Sequence, residues 1–149
     1  MAVNTLNRIL IVEDNENDLE LTIDALATHN LANFLDVARD GEEALDYLYK
    51  RGKFSGRENG NPIVILLDLK LPKVSGQEVL NDVKGNDQLK TIPIVVLTSS
   101  KEESDLINSY QKGVNAYVVK PVDFHDFVDA VKNLGIFWAL INETPRKNS

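Results

Sequence analysis

The chain has 149 residues, 43% of them apolar and 26% charged, which suits one globular domain with a core of its own. Its net charge of −7 argues against nucleic acid and against anionic membrane surfaces, which are bound through a surplus of Lys and Arg. The absence of cysteine excludes a disulfide framework, thiolate chemistry and cysteine-bound zinc.

Residues 1–7 form a polar tail with no apolar signal-peptide core. Ile9–Val12 is a short, β-branched run of the kind found in strands buried on both faces. A helix is expected from about Asn17 to His29, with Leu19, Ile23 and Leu26 at helical spacing as core. Phe34–Ala38 is a weaker strand, interrupted by Asp36, which suits a sheet edge. Gly41–Tyr49 carries Ala44, Leu45 and Leu48 on one helical face. Residues 51–62 are rich in Gly, Asn and charge and read as a long loop. Ile63–Leu67 is the most continuously apolar strand and belongs in the centre of the sheet. Gly76–Val83 is a third helix, with Val79, Leu80 and Val83 inward. A polar stretch leads to Pro93 and the fourth strand, Ile94–Leu97. Glu102–Lys112 is expected as a fourth helix closed by Gly113. Ala116–Val119 is the fifth strand, and Asp123 then caps a long last helix reaching about Ile141. Residues 143–149 are a polar tail. Gly41, Gly76 and Gly113 read as turn and cap glycines, and His29 and His125 have no partner at ligand spacing.

Strand and helix patterns alternate along residues 8–142, the mark of one α/β domain with a parallel sheet covered on both faces. No apolar stretch approaches the roughly 20 residues that cross a bilayer, and a cytoplasmic protein is expected. In such a sheet the ligand crevice lies beyond the carboxyl ends of the strands. Four of the runs end there on polar residues: Glu13 and Asp14, then Asp68, then Thr98, then Lys120 followed by Pro121. Three carboxylates, a hydroxyl and an ammonium on one edge suit a hard cation and a phosphoryl group. Acids placed so close repel one another without a cation.

These residues resemble the receiver domains of two-component response regulators from about Arg8 to Leu134. The resemblance rests on Val12-Glu13-Asp14, on Leu67-Asp68-Leu69-Lys70-Leu71-Pro72, on Ser75-Gly76, on Leu97-Thr98-Ser99 and on Lys120-Pro121. It implies the flavodoxin-like three-layer sandwich, with a five-stranded parallel sheet in the order 2-1-3-4-5 and five helices, an order for which a chemotaxis receiver is a standing example. It further implies that Asp68 is the phosphoacceptor, a carboxylate nucleophile forming an aspartyl phosphate. Asp14 and Asp68 would bind Mg²⁺ directly, Glu13 through water, and the backbone carbonyl of Lys70 would add an oxygen. Lys120 would offset charge on the phosphoryl oxygens, Thr98 would donate a hydroxyl bond to one of them, and Tyr117 would be the switch aromatic. Two positions depart from the family. Glu13 stands where an Asp is frequent, and Lys70 places a cation at a position that in receivers lines the route of attacking water.

Phe137-Trp138-Ala139, the long loop before Pro62 and the run Leu97-Thr98-Ser99-Ser100-Lys101 are similar to the stand-alone regulators found beside cyanobacterial and bacterial phytochrome kinases. That likeness implies a phytochrome-type sensor histidine kinase as phosphoryl donor and a downstream protein whose identity the sequence does not carry. On the last helix, Phe127, Val131, Leu134, Trp138 and Ile141 share one stripe, whereas Ile136, Phe137 and Leu140 face away or flank it, and a homodimer through them is expected. If Gly135 instead breaks the helix, the last turns fold back and bury them.

Three other functions on this kind of fold meet an obstacle in the residues. A haloacid-dehalogenase-type phosphatase needs a second Asp two residues after the nucleophile, where this chain has Lys70. A flavin-binding protein needs a Ser/Thr-rich phosphate loop after the first strand, where this chain has Glu13 and Asp14. A phosphorylation-independent pseudo-receiver is disfavoured by the retained Asp14, Asp68, Thr98 and Lys120. The expectation is a single-domain response regulator with no separate catalytic domain.

Overall fold

The computed structural model describes residues 8–28, 34–58, 60–71, 74–99, 114, 116–132 and 134. Its strands are β1 (Ile9–Val12), β2 (Leu35–Ala38), β3 (Val64–Asp68), β4 (Ile94–Thr98) and β5 (Ala116–Val119). β1, β3 and β4 are buried along their whole length, which a strand tolerates only inside a sheet covered on both faces. All neighbouring strands pair in parallel, in the order β2-β1-β3-β4-β5. The helices among the described residues are α1 (Glu16–Ala27), α2 (Gly41–Tyr49), α3 (Gly76–Lys84) and α4 (Phe124–Lys132), the last being the fifth helix of the sequence reading. The expected fourth helix, residues 102–112, lies outside the described residues, as do Gly113 and the last helix beyond residue 134.

Alternation along the strands divides the core in two. Leu10, Val12, Ile65, Leu67, Ile94 and Val96 point to the face covered by α2 and α3. Ile9, Ile11, Val64, Leu66, Val95 and Leu97 point to the face covered by α1 and α4, where they meet Leu19, Leu26, Phe127 and Val131. This is the three-layer sandwich, and it sets every strand's carboxyl end on one edge.

Local chemistry explains where the elements begin. The Asn15 side chain accepts from the N–H of Asp18, so α1 opens at Glu16, one residue before the expected start at Asn17. Asp40 caps α2, and Ser75 with Glu78 forms a full capping box on α3. β3 continues one residue beyond its apolar run, because Asp68 still pairs in register with Leu97. The long loop holds a 3₁₀ turn at Gly52–Phe54, with Phe54 set edge-on to Tyr47 at 5.2 Å.

The reading of Gly41 and Gly76 as turn or cap glycines is corrected here. Both are the first residues of their helices, and neither has a positive φ. They are needed for close approach instead. A Cβ on Gly41 would stand 1.9 Å from the Val74 carbonyl oxygen, and one on Gly76 would stand 2.4 Å from the Asp68 carbonyl oxygen and the Leu69 Cα.

β2 is an edge strand, as Asp36 suggested. The Arg8 guanidinium holds Asp36 at 2.7 and 3.1 Å, and the Tyr47 hydroxyl donates to the same carboxylate. Burial alone would raise the Asp36 pKa, but Arg8 and Tyr47 outweigh it and hold the carboxyl below its ordinary value. A depressed carboxylate pKa contributes stability above the unfolded value of about 3.9, and that stability is lost as pH falls through the folded value. Asp36→Asn is therefore expected to cost about 1–2 kcal/mol at pH 7. The gap in urea midpoint from the parent protein should narrow as the pH is taken below about 4. A gap that stays constant with pH would show that the carboxylate charge is not its source.

Candidate functional site

The carboxyl ends of β1, β3, β4 and β5 bring the polar residues together as expected. Glu13 follows β1 and is fully buried, its N–H bonded to the Ala38 carbonyl at 3.0 Å. Its Oε2 accepts the Asn15 N–H at 3.2 Å. Asp14, next to it, is exposed. Asp68 ends the central strand and is 6% exposed. Its Oδ1 accepts the N–H of Lys70 at 2.9 Å, a turn that fixes the Lys70 backbone beside the carboxylate. Thr98 is buried at the end of β4, and its carbonyl accepts the Lys120 N–H at 2.7 Å. The Lys120–Pro121 peptide is cis.

The Lys120 ammonium lies at the centre. Its Nζ is 2.9 Å from Glu13 Oε1, 2.9 Å from Asp68 Oδ2 and 3.1 Å from Asp18 Oδ2. Burial by itself would lower the Lys120 pKa, but bonds from Glu13, Asp68 and Asp18 outweigh it and hold the ammonium above its ordinary value. Glu13 responds the other way. Burial pushes its carboxyl up to about 7, with Lys120 pulling it down and Asp68 pushing it further up.

Glu13, Asp14 and Asp68 each offer a carboxylate oxygen, and these oxygens lie within 4.8 Å of one another. All are hard donors, and with Asp18 they make four carboxylates against the one ammonium of Lys120. That donor set fits a divalent cation held by oxygen. Lys70 itself is exposed, and its backbone stands next to Asp68 in the loop. Tyr117 is half-buried on β5, opposite Val96, and packs against the core on the α2 and α3 side. His125 remains apart, exposed on α4 with its Nδ1 3.6 Å from Asp129. Ile136, Phe137 and Leu140 lie outside the described residues.

Sequence reasoning missed Asp18. An acid in the first turn of a helix reads as a partner of the helix dipole. Nothing in the spacing shows that its side chain meets a lysine 102 residues away.

Comparison with known proteins agrees with this geometry. A family model described as the response regulator receiver domain matches residues 9–132. The bacteriophytochrome response regulator RtBRR is 60% identical, with a TM-score of 0.85 over 95% of this chain and 85% of that one. The phosphorylated cyanobacterial phytochrome response regulator RcpA is 39% identical, with a TM-score of 0.70 over 90% of this chain and 94% of that one. The response regulator Rcp1 of Synechocystis sp. is 41% identical over 130 residues, 87% of each protein. A solved Mn²⁺-bound form of Rcp1 superposes with a TM-score of 0.68 over 96% of this chain and 99% of that one.

Proposed function

The chain belongs to the response regulator receiver domain family, and we propose from this that it takes a phosphoryl group from a sensor histidine kinase onto Asp68. The observation that carries the reading is a buried carboxylate at the end of the central strand, ion-paired to Lys120 and flanked by two further acids. Asp68 Oδ1 accepts the Lys70 N–H and Oδ2 accepts from Lys120, and Oδ2 would be the attacking oxygen because the flexible ammonium, unlike the backbone N–H, can pass to a phosphoryl oxygen. The bond from Oδ2 to phosphorus forms as the bond from phosphorus to the donor atom breaks, and the electron pair leaves on the donor. The N–H of Lys120 that Asp68 accepts then meets a phosphoryl oxygen. Thr98 supplies a hydroxyl bond to another, and with Tyr117 passes the change to the neighbouring surface.

Asp14 and Asp68, with Glu13 and the Lys70 carbonyl, would hold Mg²⁺. When bound, the ion neutralises charge building up on the transferring group. The likeness to RtBRR, RcpA and Rcp1 supports a phytochrome-type kinase as the donor. Output goes through contact with a downstream protein, and a homodimer through Ile136, Phe137 and Leu140 belongs to the same proposal. A cytoplasmic location belongs to the same proposal; among the described residues no helix is long and apolar enough to cross a membrane. The retained Asp14, Asp68, Thr98 and Lys120 speak against a module that has lost phosphorylation. Incubation with acetyl phosphate and Mg²⁺ should add one phosphoryl group per chain by intact mass. A chain that stays at its own mass would end the proposal.

A second outcome concerns the cation. An ion that binds only the folded state at ten times its Kd stabilises it by about 1.4 kcal/mol, or roughly 3–5 °C in melting temperature for a domain of this size. Mg²⁺ should produce that rise in the parent protein and a much smaller one in Asp14→Ala. Equal rises would place the ion elsewhere.

A further inference from the structure

The first turns of α1 and α3 carry an acid at the same position, three residues after the capping residue: Asp18 after Asn15, and Glu78 after Ser75. In α3 this acid reaches back to the cap, with Glu78 Oε1 accepting the Ser75 N–H at 3.0 Å. In α1 that duty is taken by Glu13, whose Oε2 accepts the Asn15 N–H at 3.2 Å. The Asp18 side chain is thereby released from its own helix and crosses to Lys120, with Oδ2 3.1 Å from Nζ. Its backbone is pinned meanwhile, because the Asp18 N–H donates to Asn15 Oδ1 at 2.8 Å and the Asp18 carbonyl accepts from the Thr22 hydroxyl at 3.0 Å. Asp18 is thus a fixed anchor and not a mobile surface acid.

We propose that Asp18 is a positioning residue for phosphoryl transfer, one that holds the Lys120 ammonium so that the N–H now given to Asp68 points at the site of the transferred group. This rests on the function proposed above and deepens it. An ammonium has three N–H donors; Lys120 donates to Asp18 and to Asp68, and Glu13 Oε1 is its ion-pair partner at 2.9 Å. When Asp68 becomes an aspartyl phosphate, the donor it had accepted is free for a phosphoryl oxygen. Asp18 keeps its hydrogen bond and Glu13 its ion pair, and together they hold Nζ in place. A point cation on a flexible four-carbon stem has no preferred direction of its own, so its aim has to come from such anchors. Asp18 is outside the set of carboxylates that converge on the candidate cation site, so its effect should reach the reaction through the lysine.

Initial rates of labelling by acetyl phosphate, with Mg²⁺ present, test this in the full chain. Asp18→Ala is expected to be about tenfold slower than the parent, the scale of a misplaced catalytic group. Asp18→Asn keeps an acceptor oxygen for the ammonium and should stay within about threefold. In a Lys120→Met background, Asp18→Ala should cause no further loss, because the group it positions is gone. The Mg²⁺-induced rise in melting temperature should be the same with and without Asp18→Ala. A second measurement needs no phosphorylation. In the metal-free protein, acylation of Lys120 by an amine reagent, read by peptide mass against the other lysines, should be severalfold faster in Asp18→Ala. Asp18→Ala labelled at the parental rate or faster, an equal loss in the Lys120→Met background, or a lost Mg²⁺ response would each overturn the proposal. Unchanged acylation of Lys120 would overturn it even if the parent accepted no phosphoryl group, a result that by itself would refute only the proposed function.

Discussion

Asp68→Asn should take up no phosphoryl group from acetyl phosphate under conditions that label the parent chain fully. The amide has the shape of the carboxylate but no nucleophilic oxygen, so the loss is of chemistry and not of packing. The substitution also removes a negative charge beside Glu13, whose own pKa Asp68 helps to raise. Lys120 keeps Glu13 and Asp18 as partners. The metal-free variant is therefore expected to melt at or above the parental temperature. Intact mass and thermal melting together give the check. A labelled Asp68→Asn chain would show that another residue is the acceptor, and an unlabelled chain that has also unfolded would say nothing for Asp68. Asp14→Ala should label slowly and not at all only where Mg²⁺ is limiting, since its carboxylate holds the ion and forms no bond to phosphorus.

Gly76→Ala should lower the melting temperature by about 10 °C, the equivalent of about 3 kcal/mol of overpacking in a domain of this size. The methyl group would meet the Asp68 carbonyl oxygen and the Leu69 Cα at 2.4 Å, and backbone atoms cannot swing aside as a side-chain end can. Relief requires α3 to move off the end of β3, which carries Asp68. The same substitution at Gly41 meets the Val74 carbonyl at 1.9 Å and should cost at least as much. Gly56→Ala is the internal comparison, because nothing lies within 4 Å of its added carbon and its φ is not positive. It should leave the melting temperature within about 1 °C. If all three variants melt together, close approach is not what these glycines provide.

A single parallel sheet and the gathering of Glu13, Asp14, Asp68, Thr98 and Lys120 on one edge were legible in the residues themselves, while the strand order came with the resemblance to receiver domains. The reason is geometric. A short apolar run buried on both faces has one reading when helical patterns alternate with it, and parallel strands all present their carboxyl ends on the same side. A polar residue that ends such a run is therefore placed without any knowledge of its neighbours. Among the described residues the element boundaries were legible to within one or two residues, and the differences have local causes, such as the Asn15 cap and the extra ladder pair at Asp68.

Contacts between elements were decided only in three dimensions. Asp18 reads as a helix-dipole acid until Glu13 takes over the cap and the first turn of α1 is brought within reach of Lys120, just past the end of β5. Gly41 and Gly76 read as turn residues until helix and loop are brought to the distance at which one carbon more would collide. Asp36 reads as an interruption in a strand until Arg8 and Tyr47 close on it from elsewhere in the chain. In each case the sequence determined what kind of element a residue belongs to, because periodicity and capping are local. Which partner its side chain meets depends on the angle and distance at which whole elements dock, and that is set by the packing of both halves of the core at once.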